Sequence, residues 1–400
     1  MTPSPPPGMP DRVVLQDVTL REGEQGSDRA LDPKTRMALA RHLVDAGLTH
    51  LEAGWPGVSK QDQEFVRQLR DALPTVHVQA PVALYAANWE EQIAAAHACG
   101  VQTVALLHPA SDLRLRTLER VSRQEVLQRV HVGVQAALAV GLSVTLVATD
   151  ATRADPGFLV EVALAAQQAG AHRIGLPDTV GCATPEAYGA LVSQVRRQVG
   201  LPIHAHCHND FGLALANTLA GIRAGASLAD VSVNGLGERA GNCSLAEAAV
   251  ALEVLYGVRT GVRLEALAAV AREVARAFGT HLPGQAPLVG DLAFAHRLDV
   301  HVYGATFWPQ LFEPLDPASV GNRRRLLLGR HSGARAVSAR LQALGIDPDG
   351  VPVRALADAV RQLATLLGGG ISDEVLLVLA RTMQSQAVTS TEGVISHENR

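Results

Sequence analysis

The sequence is poor in several things. Only four cysteines occur in 400 residues, at Cys99, Cys182, Cys207 and Cys243, and none forms a C-x-x-C pair. A disulfide framework is therefore not expected, and a reducing cytoplasm is the default compartment. Aromatic residues make up only 4% of the chain. There is no excess of positive charge: the formal net charge is −4, which leaves no basic footprint for nucleic acid or an anionic membrane. No apolar run approaches the roughly 20 residues that a membrane span requires. The first ten residues are proline-rich and lack a signal peptide's apolar core, so residues 1–10 read as a disordered leader. Apolar residues are abundant, 47% against 18% charged, enough for one large domain and a smaller one.

From residue 12 to about 255 short β-rich runs alternate with helical patterns. The strand candidates are 12–16, 50–53, 76–79, 103–107, 143–147, 173–176, 203–207 and 230–233. Amphipathic stretches separate them, for example 33–46, 61–73, 123–140 and 185–199. Glycines at 47, 100, 141, 170, 200 and 225 stand where helices are expected to end. Eight βα units over residues 11–257 predict a TIM (β/α)8 barrel; a doubly wound open sheet is the alternative. Beyond residue 258 helical patterns dominate, and 258–400 reads as a mainly helical C-terminal lid and linker subdomain. Its irregular stretch, about 279–333, holds His281, His296, His301 and His331 and the aromatics Tyr303, Phe307, Trp308 and Phe312. Such a long loop is expected to be functional. It is expected to cover the barrel mouth, contributed by a neighbouring subunit in a homodimer.

Three strings carry the chemistry. Asp17-Val18-Thr19-Leu20-Arg21-Glu22-Gly23-Glu24-Gln25 follows the first strand candidate, and His204-Ala205-His206-Cys207-His208-Asn209-Asp210 spans the seventh. Residues two apart on a strand share a face, so His206 and His208 project together while Cys207 points away. Glu22 can add an oxygen from another strand end. Imidazole nitrogens plus a carboxylate suit a catalytic divalent metal: Zn²⁺, Mn²⁺ or Mg²⁺. The third string, Asn234-Gly235-Leu236-Gly237-Glu238-Arg239-Ala240-Gly241-Asn242, offers the Asn242 amide oxygen as a fourth ligand. A lone histidine is usually structural, and an adjacent Arg-Glu is usually a surface ion pair. It is the combination of strings that favours the metal.

Together the three strings resemble the signature of the metal-dependent acyl-CoA carboxylate synthases and lyases on a TIM barrel. That family includes homocitrate, 2-isopropylmalate and citramalate synthases and 3-hydroxy-3-methylglutaryl-CoA lyase. The resemblance continues into Leu288-Val289-Gly290, Phe294-Ala295-His296 and Leu327-Leu328-Gly329-Arg330-His331-Ser332-Gly333. It implies metal ligation by Glu22, His206, His208 and Asn242, and a catalytic Arg21 at the keto oxygen. It also implies His301 as general acid or base, Gln25 and Thr179 on a 2-oxo acid, and acetyl-CoA as co-substrate.

The chain departs from the family pattern at several points. Thr149-Asp150 stands where Glu-Asp is usual, and Phe312 stands where a tyrosine is usual. Arg297 lies in the lid string, where the family has no arginine, and is a candidate partner for a substrate's distal carboxylate. The expectation is an acyltransferase joining acetyl-CoA to a 2-oxo acid, with homocitrate synthase acting on 2-oxoglutarate first. 2-Isopropylmalate or citramalate synthase is second. A carbon–carbon lyase and a metal-binding paralogue with impaired turnover are the further readings. The stop at Arg400, without a leucine-sensing domain, is expected of the homocitrate type.

Overall fold

The computed structural model describes residues 4–395, with side chains through Ser385. Two compact units divide it, one ending at Leu282 and the other beginning at Pro283. The first three residues of the expected leader lie outside the described residues. Those that follow form a turn, with the Met9 N–H donating to the Pro6 carbonyl at 3.0 Å.

The first unit is a closed barrel of eight parallel strands in sequential order. They are β1 Val14–Asp17, β2 His50–Glu52, β3 His77–Ala83, β4 Thr103–Pro109, β5 Ser143–Thr149, β6 Arg173–Asp178, β7 Ile203–Cys207 and β8 Ala226–Val231. β8 pairs back onto β1, with Gln16 opposite Asp230. The TIM-barrel expectation holds, and the open sheet is excluded.

Helices wrap the strands: α1 Pro33–Asp45, α2 Lys60–Ala72, α3 Trp89–Ala98, the single turn α4 Asp112–Arg114, α5 Arg123–Ala139, α6 Pro156–Gln168, α7 Pro185–Gln198, α8 Ala214–Arg223, α9 Leu245–Val250 and α10 Leu267–Phe278. Six of them, α1, α2, α4, α5, α6 and α7, start at a side-chain cap that the sequence offers. Asp32 accepts from the Lys34 and Thr35 amides ahead of α1, and Ser122 with Glu125 closes a capping box on α5. Five of the six expected terminating glycines take positive φ; Gly200 does not, because Val199 before it is already extended.

Barrel interiors are usually filled by branched aliphatic side chains. This one carries a polar layer: Gln16, Gln79, Thr145, His204 and Asp230 are all buried. Four of the five hydrogen-bond in pairs across strands, while the His204 ring nitrogens find no hydrogen-bond partner. Gln16 Nε2 donates to Asp230 Oδ1 at 2.9 Å, and Thr145 Oγ1 donates to Gln79 Oε1 at 3.2 Å. Gln79 Nε2 in turn donates to Glu52 Oε2 at 3.0 Å. These bonds position the side chains at the mouth.

The second unit has a short parallel pair, β9 Ala295–His296 with β10 Arg325–Leu326. Its helices are α11 Asp299–Phe307, α12 Ala334–Ala343, α13 Val353–Leu367 and α14 Asp373–Ile395. Val302, Leu328, Val337, Leu341, Leu356, Val360 and Leu376 form its core. The stretch expected to be irregular thus contains a helix, α11. Its run of Val, His, Tyr, Gly and Thr has low helix propensity. Tertiary contacts supply what propensity lacks. Asp299 accepts from the Ala336 amide at 2.8 Å, and Gly304 leaves room for the Phe312 ring.

Candidate metal centre at the barrel mouth

The first string leaves β1 as a π turn, Thr19–Gly23, whose Gly23 amide reaches back to the Val18 carbonyl at 3.2 Å. Single π turns recur at functional sites because they re-aim successive side chains. Thr19 ties this turn to the loop after β8: its Oγ1 donates to Asp17 Oδ2 at 2.9 Å and accepts from the Val233 amide at 2.9 Å. A close approach fixes the same junction further on. A Cβ on Gly26 would stand 2.0 Å from the Gly237 carbonyl oxygen.

Glu22, His206 and His208 meet at this mouth, with one ligand atom from each within 4.8 Å of the others. Glu22 Oε1 lies 3.1 Å from His208 Nε2, and Glu22 Oε2 lies 3.7 Å from His206 Nε2. The two imidazoles turn their Nε2 atoms toward each other at 3.1 Å. Asn242 bridges to His208 through the backbone, and its side-chain Oδ1 is buried with no hydrogen-bond partner. Burial raises the Glu22 carboxyl, but His206, Arg21 and His208 outweigh it and hold the group well below the usual range. Burial lowers the His206 imidazole, yet the Glu22 and Asp230 carboxylates lift it to about 9. An ionised carboxylate, two converging imidazole nitrogens and an orphaned amide oxygen fit a divalent cation. The sequence leads to the expectation that Glu22, His206 and His208 meet, with Asn242 as a fourth ligand; the first three do meet here.

Arg21 sits beside the cluster. Its Nη2 lies 3.3 Å from Glu22 Oε2, and its Nη1 donates to Gln25 Oε1 at 3.1 Å. It also ion-pairs with buried Glu52, on β2. Arg21, Gln25 and Trp55 line a cavity of about 230 Å³ next to the cluster.

Thr179 follows β6, and its Oγ1 accepts from the Asp150 amide at 2.8 Å. The Thr179 carbonyl accepts from Arg239, which also makes a double contact to Asp210 at 2.8 Å per bond. Arg239 therefore pairs with Asp210, not with its neighbour Glu238. Of the Thr149-Asp150 pair only Thr149 departs from the family pattern, and Asp150 has a structural part. Asp150 adopts φ +64°, is fully buried, and is clamped by Arg153 through two 2.8 Å bonds. His108 is buried as well, and burial lowers its imidazole to about 4.

Arg297 and His301 belong to the second unit. Arg297 is exposed and has no ion-pair or hydrogen-bond partner among the described residues. It lines a cavity of about 430 Å³ with Arg330, His331 and the glycines 368–370. His301 packs on Phe312, ring centroids 4.4 Å apart, while buried His296 bonds Glu313 at 3.0 Å.

Sequence reasoning missed Asp230. It is 7% exposed and reaches His206 Nδ1 through Oδ2 at 2.9 Å. Its Oδ1 lies 2.8 Å from His204 Nε2, a charge contact that lacks hydrogen-bond alignment. The expected eighth strand, 230–233, began four residues late; β8 runs Ala226–Val231 and delivers Asp230 near its C-terminal end. The signal was present as an alternation, Leu228, Asp230, Ser232, in which an acid stands at an inward position.

Residues 12–274 match the HMGL-like family, and residues 288–366 match the homocitrate synthase post-HMGL domain-like family. The chain belongs to the HMGL-like family. It is an enzyme, an acyltransferase of the synthase kind. A probable 2-isopropylmalate synthase of Methanopyrus kandleri is 40% identical over 90% of this chain and 70% of its own length. Homocitrate synthase AksA of the same organism is 38% identical, covering 85% of each chain. The (R)-citramalate synthase CimA of Methanocaldococcus jannaschii is 37% identical over 94% of this chain and 76% of its own. Among solved structures, hydroxymethylglutaryl-CoA lyase from Pseudomonas aeruginosa superposes with a TM-score of 0.60 at 26% identity, covering 68% of this chain and 95% of that one. The lyase from Brucella melitensis, at 21% identity and TM-score 0.58, covers 67% and 99% and supports the barrel fold alone. No helix among the described residues is long and apolar enough to cross a membrane.

Proposed function

We propose that this enzyme condenses acetyl-CoA with a 2-oxo acid, and that the acid is 2-oxoglutarate, giving homocitrate. The observation that carries the reading is the meeting of Glu22, His206 and His208 within 4.8 Å. Arg21 stands beside them, 3.3 Å from Glu22. The match of the second unit to the homocitrate synthase post-HMGL domain supports the choice of acid.

The methyl C–H bond gives up its proton to a base, the methyl carbon bonds to the keto carbon, and the carbonyl electron pair moves onto the keto oxygen, which then takes up a proton. Water then cleaves the thioester and releases CoA. Glu22, His206, His208 and Asn242 would hold a Zn²⁺, Mn²⁺ or Mg²⁺ ion, which would supply Lewis-acid polarisation of the keto group. Arg21 keeps its charge at any working pH and stabilises the oxyanion as it forms. Gln25, bonded to Arg21, and Thr179 bind the 2-oxo acid. His301 is assigned to proton transfer, since an imidazole ring can both accept and donate a proton. Arg297 pairs with the distal carboxylate, a charge that cannot be buried alone. A homodimer is the working assembly on this reading.

The test is thiol release from acetyl-CoA with 2-oxoglutarate, 2-oxoisovalerate and pyruvate in parallel. The highest kcat/KM is expected for 2-oxoglutarate, falling in Arg297→Ala. A preference for the branched acid or pyruvate rejects homocitrate and favours an isopropylmalate or citramalate synthase. If no acid releases CoA, the synthase reading itself fails.

A further inference from the structure

The geometry points to Asp230 as the residue that fixes which ring nitrogen His206 offers to the metal, with Gln16 fixing Asp230 in turn. The inference rests on the metal reading above and concerns a residue outside the ligand set.

A neutral imidazole carries one N–H and one lone pair, and only the lone-pair nitrogen can bind a cation. The partner of the other nitrogen therefore decides the tautomer. In His206 that partner is Asp230 Oδ2, 2.9 Å from Nδ1. An ionised carboxylate only accepts, so Nδ1 must carry the hydrogen. In the neutral ring that can bind a cation, Nε2, which faces His208 Nε2 at 3.1 Å and Glu22 at 3.7 Å, is then the nitrogen left with its lone pair.

Asp230 cannot turn away from this task. Gln16 Nε2 donates to its Oδ1 at 2.9 Å, and His204 Nε2 stands 2.8 Å from the same oxygen. The two oxygens are thus assigned: Oδ1 to Gln16 and His204, Oδ2 to His206. The residues come from β1, β7 and β8, three adjacent strands of the closed barrel, with Gln16 and Asp230 in direct register. All of them but His206, which is half-buried, are buried, so water does not compete for the carboxylate.

The assignment yields a specific consequence for Asp230→Asn. An amide has one acceptor end and one donor end. Gln16 donates, so it draws the amide oxygen to the Oδ1 position and leaves the NH₂ facing His206 Nδ1. That arrangement favours a lone pair on Nδ1 and a hydrogen on Nε2, which closes the nitrogen that should bind metal. Removing the Gln16 donor frees the amide to turn its oxygen back to His206. Asp230→Asn combined with Gln16→Leu should therefore bind metal more tightly than Asp230→Asn alone.

The measurement is Zn²⁺ affinity by chelator competition, with the visible spectrum of the Co²⁺-loaded full chain as a second readout. Loss of such an orienting partner weakens metal binding by about 10–100-fold. Asp230→Asn should show a loss of that size and an altered Co²⁺ spectrum. Gln16→Leu alone should stay near wild type, and the double variant should recover part of the loss. Thermal melts of the metal-free proteins report folding separately. Wild-type affinity and spectrum in Asp230→Asn overturn the inference, as does a double variant no tighter than the single. If wild type itself takes up neither ion, the metal reading fails along with it. Should Asp230→Asn not fold, Asp230→Glu keeps the acceptor-only chemistry at altered reach. Wild-type Co²⁺ absorption in that variant supports the tautomer role, and its loss of metal alongside unchanged melting overturns it.

Discussion

Arg21 and Glu52 form an ion pair across the barrel mouth, from the turn after β1 to the end of β2. Glu52 is itself held from below by Gln79, and Gln79 by Thr145. The guanidinium is therefore braced by three side chains from successive and next-neighbouring strands. Burial works against its charge, but Glu52, Glu22 and Asp230 more than offset that, and its affinity for its proton rises. A pre-aimed cation costs no reorganisation when negative charge develops beside it.

This bracing makes Arg21→Lys informative. Lysine keeps the charge and loses the planar fork that meets Glu52, Glu22 and Gln25 together. The expected result is normal folding, normal metal content and a fall in kcat on the order of 10²–10³, the cost of one oxyanion donor. Turnover close to wild type would remove Arg21 from the mechanism.

The ligand assignment predicts about one divalent ion per chain in wild type, and none in His206→Ala/His208→Ala. Elemental analysis of protein dialysed against trace metal decides it. Full occupancy in the double variant would place the ion elsewhere.

Much of this was legible in the sequence for identifiable reasons. The barrel follows from eight β-rich runs separated by capped amphipathic stretches, and caps such as Asp32 and Ser122 stand where the residue types required. The ligands were legible because period two on β7 forces His206 and His208 onto one face. Asp230 was not. The start of β8 holds three small residues of weak strand preference, Ala226, Ser227 and Ala229, so the β-branched Val231 and Val233 draw the expected strand late. Once the strand is shifted, Asp230 falls at its start, away from the C-terminal end where the metal ligands gather. Helix α11 is hidden for a related reason: it is supported by contacts outside the helix, Asp299 with Ala336 and Gly304 with Phe312, not by propensity.

The closeness of the first and third strings can be tested with one methyl group. A Cβ on Gly26 would overlap the Gly237 backbone, 2.0 Å from its carbonyl oxygen and 2.9 Å from the Glu238 nitrogen. Backbone cannot rotate away as a side chain would. Gly26→Ala should cost about 1–3 kcal/mol of stability by forcing the two loops apart. It should also weaken metal binding, because Glu22 and Asn242 sit on opposite sides of that contact. Unchanged urea midpoint and metal affinity would show that the loops are not held at this distance.

Asp17 makes a prediction about pH. Its carboxyl is 1% exposed and is pushed up to about 7, chiefly by burial, with bonds from the Thr19 amide and hydroxyl working the other way. In the unfolded chain the same group titrates near about 3.9. Between those values the folded state holds a proton that the unfolded state has released. Stability then falls as pH rises through the window, and above about 7 the full penalty of a buried carboxylate is present. Asp17→Asn keeps the shape and carries no such penalty. At pH 4 the two proteins should be similar in stability. By pH 7.5 the asparagine variant should be the more stable, by roughly a few kcal/mol at most, since each pKa unit is worth about 1.4 kcal/mol. Urea denaturation of both proteins across that range measures the difference. A gap that does not change with pH would mean that Asp17 is ionised throughout and held by Thr19 alone.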